Sequence, residues 1–74
     1  MDASVLRKLT EMSMPFGKYA GRPLIDIPEP YMVWLAKQGF PKGELGELLA
    51  LVYEVKLEGL EGFVKRAVKD AAQS

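Results

Sequence analysis

The stretch Met14-Pro15-Phe16-Gly17-Lys18-Tyr19-Ala20-Gly21-Arg22-Pro23-Leu24 is the least helix-like part of an otherwise helical sequence. Its prolines hold φ near one value and its glycines permit positive φ, so the backbone is closely specified here. On its amino-terminal side Met12, Met14 and Phe16 alternate with Ser13 and Pro15, a period of two. Beyond the Tyr19-Ala20-Gly21 turn a second apolar run follows, Leu24, Ile25 and Ile27. Two short extended segments joined by a glycine-containing turn read as a small β-hairpin over residues 12–27. Pro15 and Pro23 cannot donate ladder hydrogen bonds, which bars both segments from the centre of a sheet. A lone hairpin is unstable in water, so this one is expected to lie against a helix, with Phe16 and Leu24 as anchors.

Helical patterns flank the hairpin on both sides. Upstream, Val5, Leu6 and Leu9 recur at helical spacing over about 3–11, with Asp2 or Ser4 available as a cap. Downstream, Ile27-Pro28-Glu29-Pro30 opens a helix over about 29–38, since proline and an acid both suit a first turn. Tyr31, Trp34, Leu35 and Gln38 share one face of it, which predicts Tyr31 and Trp34 in the core. Gly39 is the natural positive-φ residue after a helix, and Pro41 blocks continuation. Leu45, Leu48, Leu49, Val52 and Val55 then mark the apolar face of a helix over about 41–58. Lys56 falls in the middle of that face, so either its stem lies along the core or the helix deforms before it. Gly59 and Gly62 punctuate the chain before a last amphipathic helix over about 60–72, whose Lys65, Arg66 and Lys69 make a basic outer face. The expected fold is α+β and mainly α: three to four short helices and one small hairpin, as one domain over 1–74.

With 74 residues the chain has room for a thin core only. It contains neither cysteine nor histidine, which removes disulfides, thiolate or imidazole metal ligands, and Ser-His or Cys-His nucleophiles. Glu44, Glu47, Glu54 and Glu58 share a helix face opposite the apolar one, the pattern of a solvated surface. Asp26 is the lone carboxylate near the hairpin and reads as a turn residue. The glycines around Lys18 lack the spacing of a phosphate-binding loop. We therefore expect no enzyme, no catalytic residue, no cofactor and no metal. No apolar run reaches the roughly 20 residues of a membrane span, and the Met-Asp-Ala-Ser start lacks the pattern of a secretory signal. A cytoplasmic protein without membrane contact is the expectation.

Two binding functions remain. Ten basic and ten acidic residues balance to zero, which counts against a dedicated nucleic-acid binder. Locally, however, no acid lies between Met12 and Ile25, and Phe16, Lys18, Tyr19 and Arg22 interleave rings with cations as a single-strand binder does. The alternative is that the rings pack inward and the cations keep a hairpin edge soluble. A thin core with outlying Val33 and Leu51 suits a protein partner or self-association, and tryptophan is enriched at interface hot spots, which adds Trp34. The candidate binding residues are thus Phe16, Lys18, Tyr19, Arg22 and Trp34. Gly17, Gly21 and Gly39 are the structural turn positions.

The central stretch, with Ile27-Pro28, Tyr31, Trp34-Leu35 and Gly39-Phe40-Pro41-Lys42-Gly43-Glu44-Leu45-Gly46, resembles short bacterial proteins labelled "putative quorum-sensing-regulated virulence factor". The resemblance covers roughly residues 12 to 60. The shorter pattern is also similar to a carboxyl-terminal segment of exodeoxyribonuclease X-like proteins, outside their nuclease domain. These resemblances mark Phe16, Gly17, Lys18, Tyr19, Gly21, Tyr31 and Trp34 as motif positions. They imply an accessory or interaction protein with no assigned biochemical activity. Ala20 stands where related sequences often carry Lys, which thins the positive patch. The acidic motifs of the exonucleases are missing from this chain, so nuclease activity is not implied.

Overall fold

A computed structural model describes residues 3–73 and contains four helices: α1 (Ala3–Glu11), α2 (Glu29–Gln38), α3 (Glu44–Leu57) and α4 (Glu61–Gln73). Asp2, the alternative cap for α1, lies outside the described residues. Each helix ends where the local chemistry demands. The Gly39 N–H closes α2 on the Leu35 carbonyl at 2.9 Å, with φ at 99°. Pro28 caps α2 at its start, Glu29 follows, and Pro30 occupies the second position, where a missing N–H costs nothing. α3 begins at Glu44, three residues later than its apolar pattern suggests, because Gly43 turns the chain at φ 89°. Gly59, at φ 68°, separates α3 from α4.

The fold is all-helical, which corrects the expected α+β class. Among the described residues there is no β-strand. The segment read as a hairpin is a doubled-back loop whose neck is a single antiparallel bridge between Ser13 and Pro23. Met14 N–H donates to the Arg22 carbonyl at 2.8 Å and Leu24 N–H to the Met12 carbonyl at 3.0 Å. These bonds flank the Ser13–Pro23 pair, so Pro23 sits where an antiparallel ladder requires no donor. The ladder stops there for two reasons. Toward the tip the Arg22 N–H, which would return to the Met14 carbonyl, donates to Tyr19 instead, and beyond Leu24 the chain tightens into a 3₁₀ turn, Leu24–Asp26, instead of staying extended.

The core collects Leu9 of α1, Met14 of the loop, Leu24, Ile25 and Ile27 of the turn region, Met32 and Leu35 of α2, four residues of α3, and Val64 of α4. α1 packs on α4, α3 and the 3₁₀ turn, and α2 packs on α3. Four of the five residues of the predicted α3 stripe, Leu48, Leu49, Val52 and Val55, are buried, and Leu45 packs partly buried at the edge of the core. Lys56 is buried with them, 9% exposed. Its ammonium donates to the Ile25 carbonyl at 2.8 Å and lies 3.8 Å from the Glu61 carboxylate, so α3 accommodates it without deforming. Among the described residues of α4 only Val64 is buried, while Phe63, and Leu60 just before the helix, are exposed despite matching the helical period.

Two anchors are corrected. Leu24 is wholly buried, but its expected partner Phe16 is 41% exposed. Trp34 is 52% exposed and is no core residue. The buried face of α2 runs through Met32 and Leu35, so the helix is rotated from the predicted wheel and Tyr31 and Trp34 fall at its outer edge. Residues 31–36 are all apolar, and periodicity alone cannot select one face of such a run.

Candidate functional site

Backbone bonds fix the loop before any side chain matters. Ala20 N–H donates to the Gly17 carbonyl at 3.2 Å and Arg22 N–H to that of Tyr19 at 3.1 Å, two overlapping turns. Gly21 N–H then reaches across to the Met14 carbonyl at 2.8 Å. Gly17 and Gly21 hold φ of 80° and 91°, where a Cβ would be strained, so the turn assignment of both glycines stands. Gly17 also passes close to α2: a Cβ there would lie 2.8 Å from the Tyr31 hydroxyl. The tip of the loop is thereby seated beside the first turns of α2.

This seating brings four of the five expected binding residues together, with Tyr31 as the link. Tyr19 meets Tyr31 edge to face, with centroids 5.1 Å apart and planes at 81°. Tyr31 meets Trp34 one helical turn on, at 5.5 Å. The Lys18 ammonium stands over the Tyr19 ring at 5.6 Å and the Arg22 guanidinium at 5.1 Å, both within cation–π reach. The result is a row of three rings, cationic at the Tyr19 end and open to solvent at Trp34. Phe16, exposed beside Gly17, adds a further ring to the same loop without joining the row.

Two contributors escaped the sequence reading as binding residues. Tyr31 joins the loop to the helix, and its spacing of three from Trp34 was the available signal. Lys37 is exposed three residues beyond Trp34, on the neighbouring turn of the same side of α2. Among the described residues Lys18, Arg22 and Lys37 form no ion pair, whereas Lys8, Lys56 and Lys65 do. The Lys65 pair is with Asp26 at 2.8 Å, so the carboxylate two residues beyond Leu24 is matched by α4 and part of α4's basic face is already answered. Gly39 caps α2 and stands apart from these contacts. Among the described residues, no group of three acidic, histidine or cysteine side chains could hold a metal. No described helix is long and apolar enough to cross a membrane.

Residues 2–67 match the family described as "Putative quorum-sensing-regulated virulence factor". The chain is also similar to the protein called "Uncharacterized protein YpeB" in Escherichia coli strain K12, 47% identical over 66 residues that cover 88% of this chain and 92% of that protein. The protein of the same description in Escherichia coli O157:H7 matches with the same figures. No solved structure matches.

Proposed function

From the premise that this chain belongs to the family described as "Putative quorum-sensing-regulated virulence factor", we propose that it is a small non-enzymatic binding module. The family label names a mode of regulation and no chemistry, so the mechanism has to come from the surface. The observation that carries the proposal is the exposed Trp34 at the end of the Tyr19–Tyr31–Trp34 row. A large ring left half in water adds little to the fold, yet here it rests against Tyr31 in a tilted contact, with centroids 5.5 Å apart. Preorganised rings lose little entropy on binding, which is why tryptophan and tyrosine dominate the energetics of recognition surfaces. Lys18 and Arg22 place unmatched positive charge beside the row and select for an anionic partner.

The test is capture from producing cells with the tagged full chain, compared with a Phe16→Ser, Trp34→Ala double variant. Both side chains are exposed, so the variant should stay folded by circular dichroism. Losing Trp34 should cost about 1–2 kcal/mol, below the roughly 3–5 kcal/mol of a buried tryptophan. The expected result is a captured set that disappears with the double variant. An identical captured set from parent and variant overturns the assignment of this face.

A further inference from the structure

We infer that the face formed by the loop tip and α2 takes single-stranded nucleic acid, with bases on the open rings of Trp34 and Phe16 and phosphates on Lys18, Arg22 and Lys37. This rests on the reading of the face as a binding surface and names its ligand class. Three observations converge on it. Two rings are exposed and a third, Tyr31, holds Trp34 by a 5.5 Å contact. Lys18 and Arg22 stand over Tyr19 at one end of the row and Lys37 lies one turn beyond Trp34 at the other, all three without an ion-pair partner among the described residues. The loop carries no acid from Ser13 to Leu24, and the nearest one beyond it, Asp26, is matched by Lys65.

That combination suits a flexible polyanion carrying flat apolar groups. Successive bases stack on exposed rings irrespective of sequence, while the phosphates between them meet the cations. A duplex hides its base faces in the stack and offers the rings nothing. An acidic peptide would satisfy the cations and leave the rings uncovered. The chain as a whole is neutral, so attraction is local and weak and falls steeply with salt. With three phosphate contacts on a single strand, log K should fall against log salt with a slope of about −2.

The protein supplies its own reporter, because Trp34 is its one tryptophan. Titrating the full chain at low salt with an oligothymidylate of about ten nucleotides should quench Trp34 fluorescence saturably as a base stacks on the indole. The Lys18→Ala, Arg22→Ala double variant should retain quenching at lower affinity, with the slope reduced to about −0.7 as two contacts are lost. By anisotropy of a labelled strand, Trp34→Ala should weaken binding about tenfold or more, and Trp34→Phe should recover part of that loss. Inorganic polyphosphate and a duplex of the same length should leave the fluorescence largely unchanged. No saturable quenching at low salt overturns the inference. Equal quenching by polyphosphate overturns it too, since charge alone would then explain binding. In either case cellular capture dependent on Phe16 and Trp34 would keep the binding-module reading alive with a protein as its ligand, and loss of both results would end both.

Discussion

Gly46→Ala sets two known effects against each other at one atom. Gly46 is the third residue of α3 and is buried. A glycine-to-alanine change inside a helix ordinarily gains up to about 1 kcal/mol, because alanine loses less backbone freedom on folding. At this position the added Cβ would overlap the Pro41 carbonyl oxygen and stand 2.7 Å from its carbon, where carbon–carbon contacts prefer about 3.5–4 Å. The obstacle is main chain and cannot turn aside as a side chain would. Moving it means moving a connection that Gly39 and Gly43 already hold at φ of 99° and 89°. Overpacking against yielding side chains costs about 1–3 kcal/mol, and rigid backbone belongs at the top of that range. The net loss should be about 2 kcal/mol, out of a total of about 4–11 kcal/mol for a chain of this length. In urea, followed by circular dichroism, the midpoint should drop by about 1–2 M, and in heat by about 8–16 °C. Gly62→Ala is the internal control. Gly62 lies in the first turn of α4 and its Cβ would meet only the Arg66 side chain, at 3.5 Å, so that variant should equal or exceed the parent. A Gly46→Ala protein as stable as Gly62→Ala would refute the reasoning and the close passage of the α2–α3 connection over α3.

Lys56→Ala should cost about 3 kcal/mol, since it removes a charged hydrogen bond to a buried carbonyl along with the buried stem. Glu61→Gln should cost less than about 1 kcal/mol, the carboxylate being 3.8 Å away and partly solvated. Equal losses in urea would show that the ion pair, and not the Ile25 carbonyl, holds the lysine. At Gly21, alanine should cost about 1 kcal/mol through strain alone, as no atom lies within 4 Å of its Cβ, and valine should cost more. If thermal melts rank valine as the milder change, the positive-φ turn is wrong.

The sequence by itself determined the punctuation of this protein. Gly17, Gly21 and Gly39 were legible as turn positions, because few other residues suit the positive φ they hold and the requirement is local, whereas the positive φ of Gly43 and Gly59 was not. The buried stripe of α3 was equally legible, Lys56 included, since its polar and apolar residues alternate with a helical period. The loop's rings and cations could be named as candidates, for they lie within a few residues of one another. What they do together was decided only in three dimensions. Whether Ser13 and Pro23 begin a ladder or form one bridge depends on where the chain goes after Leu24, and that is set by burying Leu24 and Ile25 against α1 and α3. The clash awaiting a side chain at Gly46 arises from the path of a different segment. The run from Tyr31 to Ala36 is apolar on every side, so the period that pointed Tyr31 and Trp34 inward could not fix the orientation of the helix. Packing against α3 took Met32 and Leu35 inward, and an unbranched methionine and a leucine fill a thin core where an indole would overfill it. Trp34 was thereby left on the surface, where Tyr31 holds it.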